Sequence, residues 1–370
     1  MKVCIIGGGP AGLLTGLRLT QNNIDVTLYE EHKEIGVPGH CSGVISVDTI
    51  PNDLSILKKT LRSDIRGVKI GVPNIIDLQY KSSKPHAMVI DRIAFDKELA
   101  KIYIENGGKL ELDSKVKIVN ANEGKIKINN EKLDYDLVIN ASGPRSLLKN
   151  IKKKDQILYG LQVDFTDDHY DSEMVEIWID KKLNSDFFFW CIPGKTGEVR
   201  IGSASRLPNL SKTIQKFIKW RFGDKEILRR ASGLVCLDGY KDSLIEGKIV
   251  HIGDAAGQTK PTTGGGISYS LTAAELLSRT IINQKSDSDL LEYERQWKKD
   301  WKSEFNSQLI LRDIIYKLDE KAIIEIFKEM KNMNVLPELI EKAHMDKQKT
   351  ILEIIKRNPK LVSLGVRIAG

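Results

Sequence analysis

The sequence predicts an α/β protein: a discontinuous Rossmann-type domain, a second and mostly antiparallel β-sheet domain, and a C-terminal helical region. Three observations carry this expectation. Gly7-x-Gly9-x-x-Gly12 separates an apolar run at 3–6 from a helical stretch at 10–20. A second glycine-rich segment, Gly253-Asp254-Ala255-Ala256-Gly257 with Gly264-Gly265-Gly266, follows another apolar run at 248–252 late in the chain. Between the two, from about residue 150 to 245, long strand-like runs replace the strand–helix alternation.

Each element follows from its local pattern. Residues 3–6 form a short buried strand, Pro10 opens a helix to Thr20, and 24–29 form a second strand ending at Glu30. A strand–helix–strand unit of about 30 residues is the setting in which the glycine motif means dinucleotide binding. The glycines permit the tight turn, the approach of backbone to pyrophosphate, and close packing of helix on strand, while the helix N-terminus faces the phosphates. Glu30 stands where a carboxylate can accept from both ribose hydroxyls and repel a 2′-phosphate, which disfavours NADP as the resident ligand. Gly36-Val37-Pro38-Gly39-His40-Cys41-Ser42-Gly43 has turn chemistry. Residues 66–91 alternate as strands do, at Val68, Ile70, 75–78 and 88–90. Arg92 opens a helix with Phe95, Leu99, Ile102 and Tyr103 on one face and Asn106-Gly107 as its stop.

Short strands around Leu110, 116–119 and 126–128 precede a buried one at 137–140, which closes at Ala141-Ser142-Gly143-Pro144. The long strands are 158–165, 174–179, 187–192 and 199–204, interrupted by one amphipathic helix bearing Ile214, Phe217 and Ile218. Beyond 285 the chain is lysine-rich and helix-forming, with Leu290, Tyr293 and Trp297 at helical spacing. The expected domains are 1–65, 91–150 and 245–284 for the nucleotide unit, 66–90 and 151–244 for the substrate sheet, and 285–370 for the helical region.

The second glycine segment identifies the ligand. A strand, then Asp254, then glycines opening the helix at 267–277 make a second phosphate-and-ribose loop returning to the same molecule. FAD is long enough to need both ends of a discontinuous domain, and nicotinamide cofactors usually are not. The first unit is therefore read as a Rossmann-type FAD-binding domain. Asp254 is placed to bond the ribityl or pyrophosphate, and the backbone of Gly264, Gly265, Gly266 and Ile267 to approach the isoalloxazine. The helix N-terminus there would stabilise negative charge on the reduced ring.

Composition narrows the rest. At 41% hydrophobic and 29% charged, the 370 residues are globular in character. The net charge of +7 comes from scattered lysines, so nucleic acid is not an expected partner. Cys4, Cys41, Cys191 and Cys236 lie far apart, without metal or disulfide spacing. No metal is expected, and a reducing cytoplasm fits. Lys2 and the uncharged run after it mimic a signal peptide, but the glycines belong to the nucleotide turn. No apolar run reaches the ~18–20 residues of a membrane span, so the expected location is cytoplasmic, with at most peripheral membrane contact.

Four segments together resemble the para-hydroxybenzoate-hydroxylase-like FAD superfamily over residues 1–285: Gly7-x-Gly9-x-x-Gly12, Arg92-x-x-Phe95-Asp96-x-x-Leu99, Asp136-Leu-Val-Ile-Asn-Ala-Ser-Gly143 and Gly253-Asp254. Within it, Pro38-Gly-His-Cys41-Ser-Gly43 and Phe188-Phe-Trp190-Cys-Ile-Pro193 resemble the geranylgeranyl reductase family. That family's hallmarks are a cysteine loop near the flavin and a Tyr-x-Trp-x-Phe-Pro stretch lining the substrate cavity. Phe188 and Ile192 replace its Tyr and Phe, which keeps apolar bulk, drops a hydroxyl and leaves substrate identity open. The resemblance implies FAD contacts at Ala11, Glu30, Cys41, Ser42, Val44, Arg92, Val116, Asp254, Gly266 and Ile267. Arg92 also makes independent sense as a fixed cation at a helix start, able to pair with the pyrophosphate or adenosine side.

The resemblance also makes Cys41 the catalytic candidate. Cys4 lies in an apolar strand, whereas Cys41 occupies a Gly/Pro/Ser loop at the family's cysteine position. Reducing an isolated C=C bond needs hydride from flavin N5 on one carbon and a proton on the other. An ordinary thiol stays mostly protonated at neutral pH and can supply that proton; His40 is the competing donor. Alternation on a strand lets Phe188 and Trp190 share a face as an apolar wall for a prenyl chain. With no second nucleotide signature, the reductant is expected to be transient NAD(P)H or a ferredoxin. The expected function is hydrogenation of prenyl double bonds in an isoprenoid lipid or prenylquinone. The alternatives are an aromatic hydroxylase of the same fold and a quinone-linked electron-transfer flavoprotein, whose usual iron–sulfur cysteine set this chain lacks. A halogenase fits less well, because Phe188 replaces the first Trp of its Trp-x-Trp-x-Ile-Pro pattern.

Overall fold

The computed structural model describes residues 1–149, 157–206, 208–237, 239–284 and 289–358. Its first sheet runs, in spatial order, Ile245–Glu246, Ile249–His251, Leu137–Asn140, Lys2–Ile6, Asp25–Tyr29 and Lys109–Glu111. All neighbours are parallel except the edge strand Ile245–Glu246. Parallel strands need cover on both faces, and this sheet has it. Val3 and Ile5 join a core with the helices Pro10–Thr20, Arg92–Glu105 and Ile267–Ile282. Cys4 and Ile6 face a three-stranded antiparallel sheet made of Val116–Asn120, Lys125–Ile128 and Glu131–Asp134.

The second sheet has seven strands: Arg229–Cys236, Ile157–Thr166, Glu198–Ser205, Phe189–Pro193, Met174–Trp178, Gly67–Val72 and Ile76–Lys81. It is antiparallel apart from the pairing of Met174–Trp178 with Gly67–Val72. On one face Val163, Phe165, Phe189, Val199 and Ile201 pack on the amphipathic helix Leu210–Phe222 through Ile214, Phe217 and Ile218. Phe189 and Phe217 stack with centroids 4.4 Å apart. The opposite face turns toward the nucleotide unit.

Three placements differ from the sequence expectation. The segment 66–90 divides, because Ala87–Ile90 is buried along its whole length and pairs with Val44–Ser46 and Leu61–Ile65 in a separate small sheet. The strand expected at 187–192 starts only at Phe189. The helical region is not a separate unit: Tyr293, Trp297 and Phe305 of the long helix Leu290–Lys317 complete the core that holds Val3 and Ile5. Farther on, Glu320–Asn332 and Val335–Lys342 cover the Gly67–Lys81 hairpin through Ala322, Ile323, Phe327 and Leu336. The expected boundaries at 150/151 and 284/285, and the last twelve residues of the helical region, lie outside the described residues.

Candidate active site

The first glycine turn is sterically obligatory. A Cβ on Gly7, at φ +107°, would lie 2.4 Å from the Ala141 carbonyl oxygen, and one on Gly12 would lie 2.1 Å from that of Gly7. At Gly9 a Cβ would meet nothing within 4 Å, and the helix it starts has no side-chain cap. Free N–H groups facing open space are what a pyrophosphate needs. Glu30 closes the second strand and accepts from Gly8 N at 2.7 Å and His32 N at 3.0 Å, so the turn itself orients the carboxylate. Val116, expected near the cofactor, sits partly buried at the start of its strand, against the core that includes Tyr29.

The second glycine segment comes back to this turn. A Cβ on Gly253 would stand 3.0 Å from that of Ala11, which brings together two loops remote in sequence. Asp254 follows, and no donor among the described residues reaches its carboxylate. Burial pushes its pKa up to about 6, against the pull of the Arg92 charge. Gly266 leaves room for it, since a Cβ there would come 2.8 Å from Asp254 Oδ1. Gly266 also starts the helix Ile267–Ile282 without a side-chain cap. Two uncapped helix starts, an open cradle at Gly9 and an unmet carboxylate acceptor fit a long ligand with a pyrophosphate and ribose-type hydroxyls.

Lys260, which the sequence reading passed over, lies beneath this loop. A Cβ on Gly265 would be 3.2 Å from its Nζ, and that ammonium pairs at 2.6 Å with Asp346 Oδ1. Lys260 and Asp346 are only 6% and 4% exposed, so the pair is buried and locks the C-terminal segment onto the glycine loop.

Arg92 begins the helix that Asp91 caps by accepting from Ala94 N at 3.0 Å. Its guanidinium lies 3.0 Å from Asp96 Oδ2, and the Cys41 side chain is near enough to act on its charge. Burial opposes the Arg92 charge, but Asp96 and Cys41 outweigh it and hold its pKa above the ordinary value. The arginine expected at the pyrophosphate or adenosine side thus stands between Asp96 and Cys41. Cys41 is partly buried and packs against the nucleotide core. Ser42 and Val44 continue the same loop into the small sheet. His40 is bonded through Nδ1 to the Pro38 carbonyl at 3.0 Å and lies on Gly233, where a Cβ would come 2.8 Å from its ring. Burial, with Arg92 nearby, lowers its pKa and keeps it neutral.

The sheet face opposite this loop has a floor of small residues. The register sets Gln162 beside Gly202 and Ala231, and Gly160 beside Ala204 and Gly233. Trp190 pairs with Gly202, and its indole fills the space a side chain there would need, at 2.3 Å from an added Cβ. Trp190 Nε1 and Gln162 Oε1 on this face are buried with no hydrogen-bond partner among the described residues. The rings of Phe188 and Trp190 come together, with centroids 6.2 Å apart, although Phe188 precedes the strand. Phe187 joins them, stacked on Phe188 at 4.3 Å, because strand alternation starts only at Phe189.

The profile of the family described as "Lycopene cyclase protein" matches residues 2–340. An uncharacterized protein of Methanocaldococcus jannaschii is 28% identical over 394 residues, covering 99% of this chain and 97% of its own. A digeranylgeranylglycerophospholipid reductase of Methanothrix thermoacetophila is 23% identical over 386 residues, covering 97% of each. Among solved structures, a geranylgeranyl bacteriochlorophyll reductase-like protein from Thermoplasma acidophilum superposes with a TM-score of 0.81 at 20% identity, over 98% of this chain and 97% of that one. The flavin-dependent brominase Bmp2 follows with 0.67 at 16% identity, over 97% and 99%. These structural likenesses establish the fold.

Proposed function

The chain belongs to the lycopene cyclase protein family, and from that premise we propose that it is an FAD-dependent oxidoreductase that hydrogenates prenyl C=C bonds in an isoprenoid lipid or prenylquinone. The observation that carries the reading is the placement of Cys41. Its loop lies over a sheet face of glycine and alanine walled by Phe188 and Trp190, uncharged where a hydrocarbon chain would pass. The reductase names of relatives that match along nearly the whole chain support the same reading.

FAD, when bound and reduced, would supply a hydride to one carbon of the double bond. The uncapped helix start at Gly9 would hold its pyrophosphate, the one at Gly266 would face its isoalloxazine, Glu30 would take a ribose, and Asp254 would accept from a hydroxyl. Cys41 gives its Sγ proton to the other carbon, so one hydride and one proton complete the saturated bond. The sulfur keeps the electron pair beside the Arg92 guanidinium until water returns a proton. Phe188 and Trp190 exclude water and align the chain. Reducing equivalents come from a transient NAD(P)H or ferredoxin. The substrate leaves a bilayer through peripheral contact; among the described residues no helix is long and apolar enough to cross a membrane.

The test is single turnover: dithionite-reduced protein is mixed with a geranylgeranyl lipid and the product is weighed by mass spectrometry. A gain of two hydrogens per bond is expected. A product of unchanged mass means isomerisation or cyclisation and refutes the reading. The unpartnered Trp190 Nε1 and Gln162 Oε1 favour a second reading, hydroxylation of a polar ring, which oxygen uptake with a phenol would reveal.

A further inference from the structure

The loop-facing side of the large sheet is small and uncharged at Gly160, Gly202, Ala204, Ala231 and Gly233, yet farther along the same strands, at Asp164, Arg200 and Arg229, it turns ionic. Asp164 stands in register with Arg200 on one neighbouring strand and Arg229 on the other. Asp164 is 5% exposed. Arg200 grips it through Nε at 2.9 Å and Nη2 at 3.1 Å, and Arg229 through Nε at 3.1 Å. Each guanidinium then extends to the loop. Arg200 Nη1 donates to the Ser42 carbonyl at 3.0 Å, and Arg229 Nη2 to the Gly39 carbonyl at 3.1 Å. Gln162, two residues along the same strand, donates to the Cys41 carbonyl at 3.4 Å.

A buried ionic cluster of this kind is often no more stabilising than apolar residues of the same volume. What it supplies is direction: a planar fork can hold a carboxylate and a carbonyl at once, which lysine cannot do. Asp164 fixes both forks, and the forks fix the loop on either side of the cysteine.

We propose that Asp164, Arg200 and Arg229 are positioning residues that set where the Cys41 thiol stands against the sheet by holding the carbonyls of Gly39 and Ser42. The consequence for turnover rests on Cys41 as the proton donor; the hold on the loop does not.

Arg200→Lys tests this in the FAD-loaded protein, since lysine can still pair with Asp164 but cannot also reach Ser42. Alkylation of Cys41 by iodoacetamide is followed by peptide mass, with buried Cys4, Cys191 and Cys236 as unreactive internal controls. The expected result is several-fold faster alkylation of Cys41 with an unchanged flavin spectrum. In chain reduction, kcat falls on the order of 10-fold or more at nearly constant KM, because the reacting group and not the chain is displaced. Wild-type alkylation kinetics overturn the proposal whatever turnover does. Faster alkylation with full turnover upholds the hold and removes Cys41 from the chemistry. Arg229→Lys is the second variant: it lies on the sheet's edge strand, its side chain is 37% exposed, and it tests the Gly39 contact where Arg200→Lys does not fold.

Discussion

Asp254→Asn should make the cofactor-free protein more stable and the cofactor-bound protein weaker. No donor among the described residues reaches this carboxylate, and burial raises it from 3.8 to about 6. A carboxyl raised on folding binds more protons in the native state than in the unfolded chain, so its contribution declines as pH rises from 3.8 to about 6 and is fully adverse at neutrality. At 1.36 kcal/mol per tenfold change in proton affinity, that gap corresponds to about 3 kcal/mol, an upper bound on what a neutral isostere would relieve. The same substitution removes a charged acceptor from the ligand, worth about 1.5–3 kcal/mol, or roughly 10- to 100-fold in FAD affinity. Urea unfolding of the apo forms at pH 7.5 and flavin-fluorescence titration measure the two effects. His251 supplies an internal check. Burial and Lys241 lower its pKa to about 4, so its contribution is complete above 6.5 and is lost as pH falls toward 4, the opposite slope. That slope and those of the other shifted groups, His40 among them, are shared by both apo forms, so the stability of the variant minus that of wild type should rise by about 3 kcal/mol between pH 3.8 and about 6. An apo variant less stable than wild type at pH 7.5, or one that holds FAD as tightly, would refute the reasoning.

Cys41→Ser should retain FAD and its reduction by dithionite, yet lose ~10²-fold or more in single-turnover alkene reduction, the scale of a lost proton donor. Gly12→Ala should yield no flavin-loaded protein, because its methyl would lie 2.1 Å from the Gly7 carbonyl oxygen; the visible absorbance of the purified protein reports this directly. Lys260→Met leaves Asp346 buried without its cation and should cost about 3–5 kcal/mol in chemical denaturation. Adding Asp346→Leu should recover much of that loss, and a double variant no better than the single would contradict the pairing.

Much of the nucleotide unit was readable because its signals are local. A glycine needed three or five residues from another, a helix start at Arg92 and apolar runs of strand length are all imposed by neighbours along the chain. Alternation paired Phe188 with Trp190 and left out Phe187, but both phenylalanines precede the strand, whose start at Phe189 decides where they lie. The sequence alone thus determined the glycine loops, the two kinds of sheet and the candidate cysteine. Tertiary structure alone decided which charges those features meet. Lys260 finds Asp346 across 86 residues, Asp164 finds Arg200 and Arg229 across 36 and 65, and the Cys41 loop is held from strands 121 to 190 residues away. A buried charge must be paired, but its partner is chosen by strand register and helix docking, and no local pattern of residues encodes either.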